Sequence, residues 1–84
     1  MIKQNVNILK KIIIYRCKYS GTKETDLLYK KTFLNNIDNF TYSDLNLILN
    51  LFMKLSDPEI FIILLGKKNP PLKFKKIFKK LMNA

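Results

Sequence analysis

The chain has 84 residues, enough for one small domain with a single core and too few for a second domain or a deep substrate cavity. Sixteen basic against six acidic residues give a net charge of +10; this points to nucleic acid, an anionic membrane or an acidic protein as partner, although the excess of Lys, Asn and Ile also fits an A+T-rich coding bias. One cysteine and no histidine exclude an internal disulfide, ordinary zinc or haem ligation and a histidine general base, and the free thiol fits a reducing compartment.

In chain order, the first predicted element is a helix from about Asn5 to Lys18, with Val6, Leu9, Ile12, Ile13 and Arg16 on one face. The β-branched Ile12–Ile14 leave a strand at Ile12–Tyr15 as an alternative. Ser20-Gly21 is a break. A second helix is expected from about Thr22 to Asn36, capped by Thr22, with Leu27, Leu34 and Ile37 near one face and Tyr29 and Phe33 flanking it. Asn35–Asn39 reads as a loop. The third helix, capped by Thr41 or Ser43, carries Leu45, Ile48, Leu49 and Phe52 at the i, i+3, i+4, i+7 spacing. Leu47 and Leu51 widen its stripe, so more than one side should be buried. Ser56-Asp57-Pro58-Glu59 supplies a cap, a first-turn proline and a capping-box acid for a fourth helix over Pro58–Leu65, stopped by Gly66. After Asn69-Pro70-Pro71, a fifth stripe follows in Phe74, Ile77, Phe78, Leu81 and Met82, with lysines opposite. The expected fold is an all-α, compact bundle of about five short helices in a single domain spanning residues 1–84.

The longest apolar run, Ile60–Leu65, is far short of the ~20 residues that span a bilayer. The N-terminus does not read as a signal peptide, because bases bracket its short apolar run and no small-residue cleavage site follows. As a mitochondrial transit peptide it is acid-free but poor in Ser and Arg.

The candidate functional residues cluster in YRCKYSGTKETDLL, Tyr15–Leu28. Every charged residue before Glu24 is basic, and Glu24 and Asp26 then appear just after Gly21. They are either helix-start electrostatics or a site. Two apart on a helix, they point in different directions and do not form an acid/base dyad. A carboxylate beside a glycine, where a partner backbone can approach, is the functional alternative. Arg16 is the single arginine among sixteen bases, which suggests a bidentate bond to a carboxylate or phosphate. Cys17 reads as a small buried hydrophobe. The lysine face of the last helix is a solvated face or a contact for an anionic membrane or RNA backbone.

The same segment resembles the diagnostic stretch of the SdhE-type FAD assembly factors, the succinate dehydrogenase assembly factor 2 family. There an Arg-Gly pair is followed by two variable residues, Glu, one variable residue and Asp. Gly21, Glu24 and Asp26 match at those offsets, and Tyr15-Arg16 and Gly21-Thr22-Lys23-Glu24 are in register with one branch of the family. Downstream, Phe40–Leu45, Ser56–Phe61, Gly66 and Asn69-Pro70-Pro71 are similar to further family segments, so the likeness runs from about Leu9 to Leu81. Ser20 stands where the family has its arginine, and the tryptophan ahead of the motif is also lost. Compensation by Arg16 or Lys18, co-variation of the partner, and weakened activity are the alternatives.

The resemblance implies an assembly factor, not itself an enzyme. It would bind the flavoprotein subunit of succinate dehydrogenase, or of fumarate reductase, and promote covalent attachment of FAD to a histidine of that subunit. It further implies partner contacts at Arg16, Ser20, Gly21, Glu24 and Asp26, and that the FAD belongs to the partner, with no cofactor or metal held by this chain. A free monomer in a bacterial cytoplasm, or a mitochondrial matrix if the source is eukaryotic, goes with that reading. The alternatives are a small basic nucleic-acid-binding protein and a peripheral membrane protein using Phe74–Met82.

Overall fold

The computed structural model describes residues 2–19 and 22–82, with side chains from Val6 onward. Among them are five α-helices and no strand: α1 (Ile2–Lys18), α2 (Lys23–Thr32), α3 (Tyr42–Lys54), α4 (Asp57–Leu64) and α5 (Lys75–Met82). Short 3-10 segments at Leu34–Asn39 and Leu72–Phe74 complete the path. All-α is therefore the fold class, and the strand alternative at Ile12–Tyr15 falls away. The helices share one core, built from Ile13 and Cys17 of α1, Tyr29 of α2, Leu45, Ile48 and Leu51 of α3, Ile60 and Ile63 of α4, and Ile77, Phe78 and Leu81 of α5. Phe33 and Phe40, at the ends of the connection between α2 and α3, close it.

Local chemistry sets the helix ends. Thr41 accepts from the Asp44 N–H at 3.1 Å, while the Asp44 carboxylate accepts from the Thr41 N–H at 3.0 Å. Ser56 and Glu59 close the same reciprocal box on α4. Each box satisfies two of the N–H groups that a helix start leaves without intrahelical partners. Helix α4 stops as predicted at Gly66, whose φ of +79° is the left-handed conformation glycine adopts without a Cβ penalty. The Gly66 N–H donates to the Ile63 carbonyl and the Lys67 N–H to the Ile62 carbonyl, the paired bonds of a Schellman ending.

Several expectations are corrected. Helix α2 ends at Thr32, not near Asn36, and the expected loop at Asn35–Asn39 is a 3-10 turn. Asn36 causes part of this: its side-chain amide donates back to the Lys31 and Thr32 carbonyls and tightens the helix end. The inward face of α2 is also rotated from the one predicted. Tyr29 and Phe33 are fully buried, edge to face with ring centroids 5.2 Å apart, whereas Leu27 is exposed. On α1, Ile12 is likewise exposed while Ile13 is buried. The α5 stripe is as predicted for Phe74, Ile77, Phe78 and Leu81, all in the core, whereas Met82 at its end is exposed. That burial covers most of the apolar face with which Phe74–Met82 would enter a membrane surface, leaving Met82 exposed. No helix among the described residues is long and apolar enough to cross a bilayer.

Candidate partner-docking site

Helix α2 begins with Thr22 as its cap. The Thr22 hydroxyl oxygen accepts from the Thr25 N–H at 3.2 Å, and its O–H donates to the Thr25 hydroxyl at 2.7 Å. Thr25 thus occupies the third helical position, where α3 and α4 carry an acid that folds back on the cap. Glu24, one residue earlier, cannot reach back in that way. It is exposed, and it has neither a hydrogen-bond nor an ion-pair partner among the described residues. Asp26 is half-buried and already engaged. The two carboxylates therefore differ in role despite their proximity in sequence. Ser20 and Gly21, the remaining motif residues, lie outside the described residues.

Glu24 stands on the wall of a groove of about 540 Å³ between the starts of α2 and α4. Thr22, Glu24 and Thr25 form one side; Asp57, Pro58, Phe61 and Ile62 form the other. The groove offers one free carboxylate, two threonines and an apolar floor, a combination suited to a partner loop that brings an apolar side chain and a cationic or N–H group.

The groove is braced from behind by Asp57. Arg16 donates to both Asp57 oxygens, from Nη2 at 2.8 Å and from Nη1 at 3.1 Å. The Tyr29 hydroxyl donates to Oδ1 at 2.7 Å. The Arg16 guanidinium also lies 5.0 Å from the centroid of the Phe52 ring, an attractive arrangement for a planar cation. One carboxylate therefore ties together α1, α2 and α4, with α3 stacked beneath the cation. The hydrogen bond with Asp57 holds the Arg16 pKa above the ordinary arginine value, against an opposing effect of burial. Burial, reinforced by the bond to Asp57, raises that of Tyr29. The bidentate carboxylate bond anticipated for Arg16 exists, and its partner is a residue of the same chain, 41 positions away.

Cys17 lies in the core beside this cluster. Burial pushes its thiol up to about 12, with Asp57 and Asp26 adding to the shift and Arg16 opposing it. It is protonated at neutral pH and shielded, and so unsuited to act as a nucleophile.

At the opposite end, Asp44 forms an ion pair with Lys80 beside Lys76 and Lys79. Burial would raise the Asp44 pKa, but hydrogen bonds from Lys80 and the Thr41 backbone outweigh it and the net shift is downward. The exposed face of α5 carries four lysines and Met82, while Phe74 and Phe78 point into the core. That face therefore lacks the exposed aromatics of a single-strand stacking platform.

Sequence reasoning singled out Glu24 and Arg16 as candidates. It treated Asp57 only as part of a helix start and missed the groove residues Phe61 and Ile62. The signal available for Asp57 was indirect: a lone arginine needing a carboxylate, and six acids to choose from.

Compared with known proteins, residues 11–84 match the model of the family Sdh5, described as flavinator of succinate dehydrogenase. No curated protein and no solved structure gives a significant match to the chain. The matched span contains Glu24, Asp57 and both walls of the groove.

Proposed function

This chain belongs to the Sdh5 family, the flavinators of succinate dehydrogenase, and from that premise we propose that it promotes covalent attachment of FAD by docking on the flavoprotein subunit through the Glu24 groove. The observation that carries the assignment is the state of Glu24. It is a first-turn carboxylate left unengaged among the described residues, beside an apolar groove, in a chain whose other helix-start acids are bonded. An exposed anion with no partner is available to a cation or N–H group of the docked subunit, and the contact gains strength as the interface excludes water.

In this reading the chain holds no flavin of its own. It stabilises a conformation of the flavoprotein in which the acceptor histidine and the flavin are aligned, and bond formation is the flavin's own chemistry. Arg16 contributes as a brace, because both of its terminal nitrogens are engaged by Asp57. It is thus a poor substitute for the family arginine replaced by Ser20. Asp26 supports the start of α2, with Gly21 beside it in sequence. The protein acts as a single-domain monomer in the compartment where the flavoprotein is assembled, a bacterial cytoplasm or, in a eukaryote, the mitochondrial matrix.

Co-expression with the flavoprotein subunit, followed by in-gel fluorescence of covalently bound flavin, tests this. Wild type raises the flavin signal above the level of the subunit alone, and Glu24→Ala does not, while remaining folded. Equal signal with and without the wild-type chain rejects the function; equal signal from Glu24→Ala and wild type rejects the site.

A further inference from the structure

Helix α1 has two apolar stripes. One faces the core through Val6, Leu9, Ile13 and Cys17. The other consists of Ile8, Ile12 and Tyr15 at i, i+4 and i+7, continued by Tyr19 just past the helix end. These four are between 48% and 70% exposed. Tyr15 and Tyr19 lie against each other, ring centroids 4.7 Å apart. At 1.5 Å per residue the stripe is about 16 Å long, three helical turns. Along one edge it drops into a second groove, of about 370 Å³, where Ile12 meets Leu49, Phe52 and Met53 of α3. Along the other edge run Lys11 and Lys18, exposed and without an acidic partner among the described residues. A contiguous apolar face of this kind, with a concave side and a cationic rim, marks an interaction surface.

We propose that this face is a second docking surface for the flavoprotein subunit and that it receives an acidic amphipathic helix of that subunit. The inference rests on the family reading above and extends it to a region that reading does not use. Three features select the occupant. The stripe ends at Tyr19, two positions ahead of Gly21 of the motif, so one partner can cover it together with the Glu24 groove. Its rim is purely basic, and α1 contains no acid, so the complementary partner is acidic. A second copy of this chain would bring +10 and a like-charged α1 to the contact. The α1–α3 groove is concave and takes protruding side chains, as when an amphipathic helix lays its apolar face into a groove; a bilayer surface offers no such protrusions.

The test measures binding of the purified, non-flavinylated subunit to the full chain by calorimetry at two salt concentrations. Two double variants are compared with wild type: Ile12→Ser with Met53→Ser, and Lys11→Glu with Lys18→Glu. All four positions are exposed, and thermal melts establish that both variants fold. The inference expects each pair to weaken binding at least about tenfold and the lysine reversal to abolish the salt dependence. Binding by both variants within twofold of wild type overturns it. So does a concentration-dependent dimer, or binding to phosphatidylglycerol vesicles, that the variants lose while their affinity for the subunit is unchanged. A wild-type chain that fails to bind the subunit sinks the family-based reading itself, a separate outcome visible before any variant is made.

Discussion

Helix α2 begins Thr22-Lys23-Glu24-Thr25 and helix α3 begins Thr41-Tyr42-Ser43-Asp44. Both have a threonine cap whose hydroxyl accepts the N–H three residues on. In α3 the acid sits at that third position, folds back on the cap and pairs with Lys80. In α2 a threonine takes the third position and the acid is displaced to the second, from which no such return is available. A shift of one residue thus separates a carboxylate engaged in holding a helix end from one without a partner among the described residues. First-turn acids are favourable to a helix wherever they sit; the residue at the third position decides what else they can do.

The comparison breaks first at the brace behind the groove. Asp57→Ala leaves the Arg16 cation and the Tyr29 hydroxyl without their acceptor, and is expected to cost about 2–4 kcal/mol in urea denaturation as well as covalent flavin, since the groove loses its support. Glu24→Ala sharpens the contrast: covalent flavin falls at least about tenfold, while stability stays within about 0.5 kcal/mol of wild type. Asp44→Ala is its mirror image, losing about 1 kcal/mol through the cap and the lysine pair with flavin attachment intact. A reversal of those two outcomes removes the distinction between the helix starts.

The smallest expected effect is on acidification. Asp44 and Glu59, whose pKa values are lowered in the fold, Asp44 through Lys80 and the Thr41 backbone against burial and Glu59 by its bonds to Ser56, stabilise the protein above the unfolded carboxylate range. That contribution is lost as pH falls below about 4. The melting temperature should decline there by a few degrees, and Asp44→Asn should flatten the decline, in a pH series followed by circular dichroism.

What the sequence made legible was local. Thr41, the Ser56–Glu59 box and Gly66 announce their helix ends because cap chemistry involves residues three or four apart. The face of α2 was not legible, because Tyr29 is admitted to the core by a carboxylate 28 residues away. With that acceptor in place, a tyrosine buries in preference to Leu27. Arg16 signalled that it needed a carboxylate and could not say which of six. The exposed stripe on α1 was hidden by its isoleucines, since Ile12 and Ile13 are indistinguishable until the position of α3 is known. The carboxylates of the motif could be weighed only once the hydrogen bonds at three helix starts could be compared.

The Arg16–Asp57–Tyr29 cluster also imposes an order in time. The motif segment leaves the ribosome first, and the residue that fixes its two flanking helices follows 41 positions after Arg16. At roughly 5–20 residues per second that is a delay of about 2–8 seconds, during which α1 and α2 are present and the groove is not. A nascent chain stalled before Asp57 would display the motif without its architecture, because the groove cannot form until Asp57 has followed.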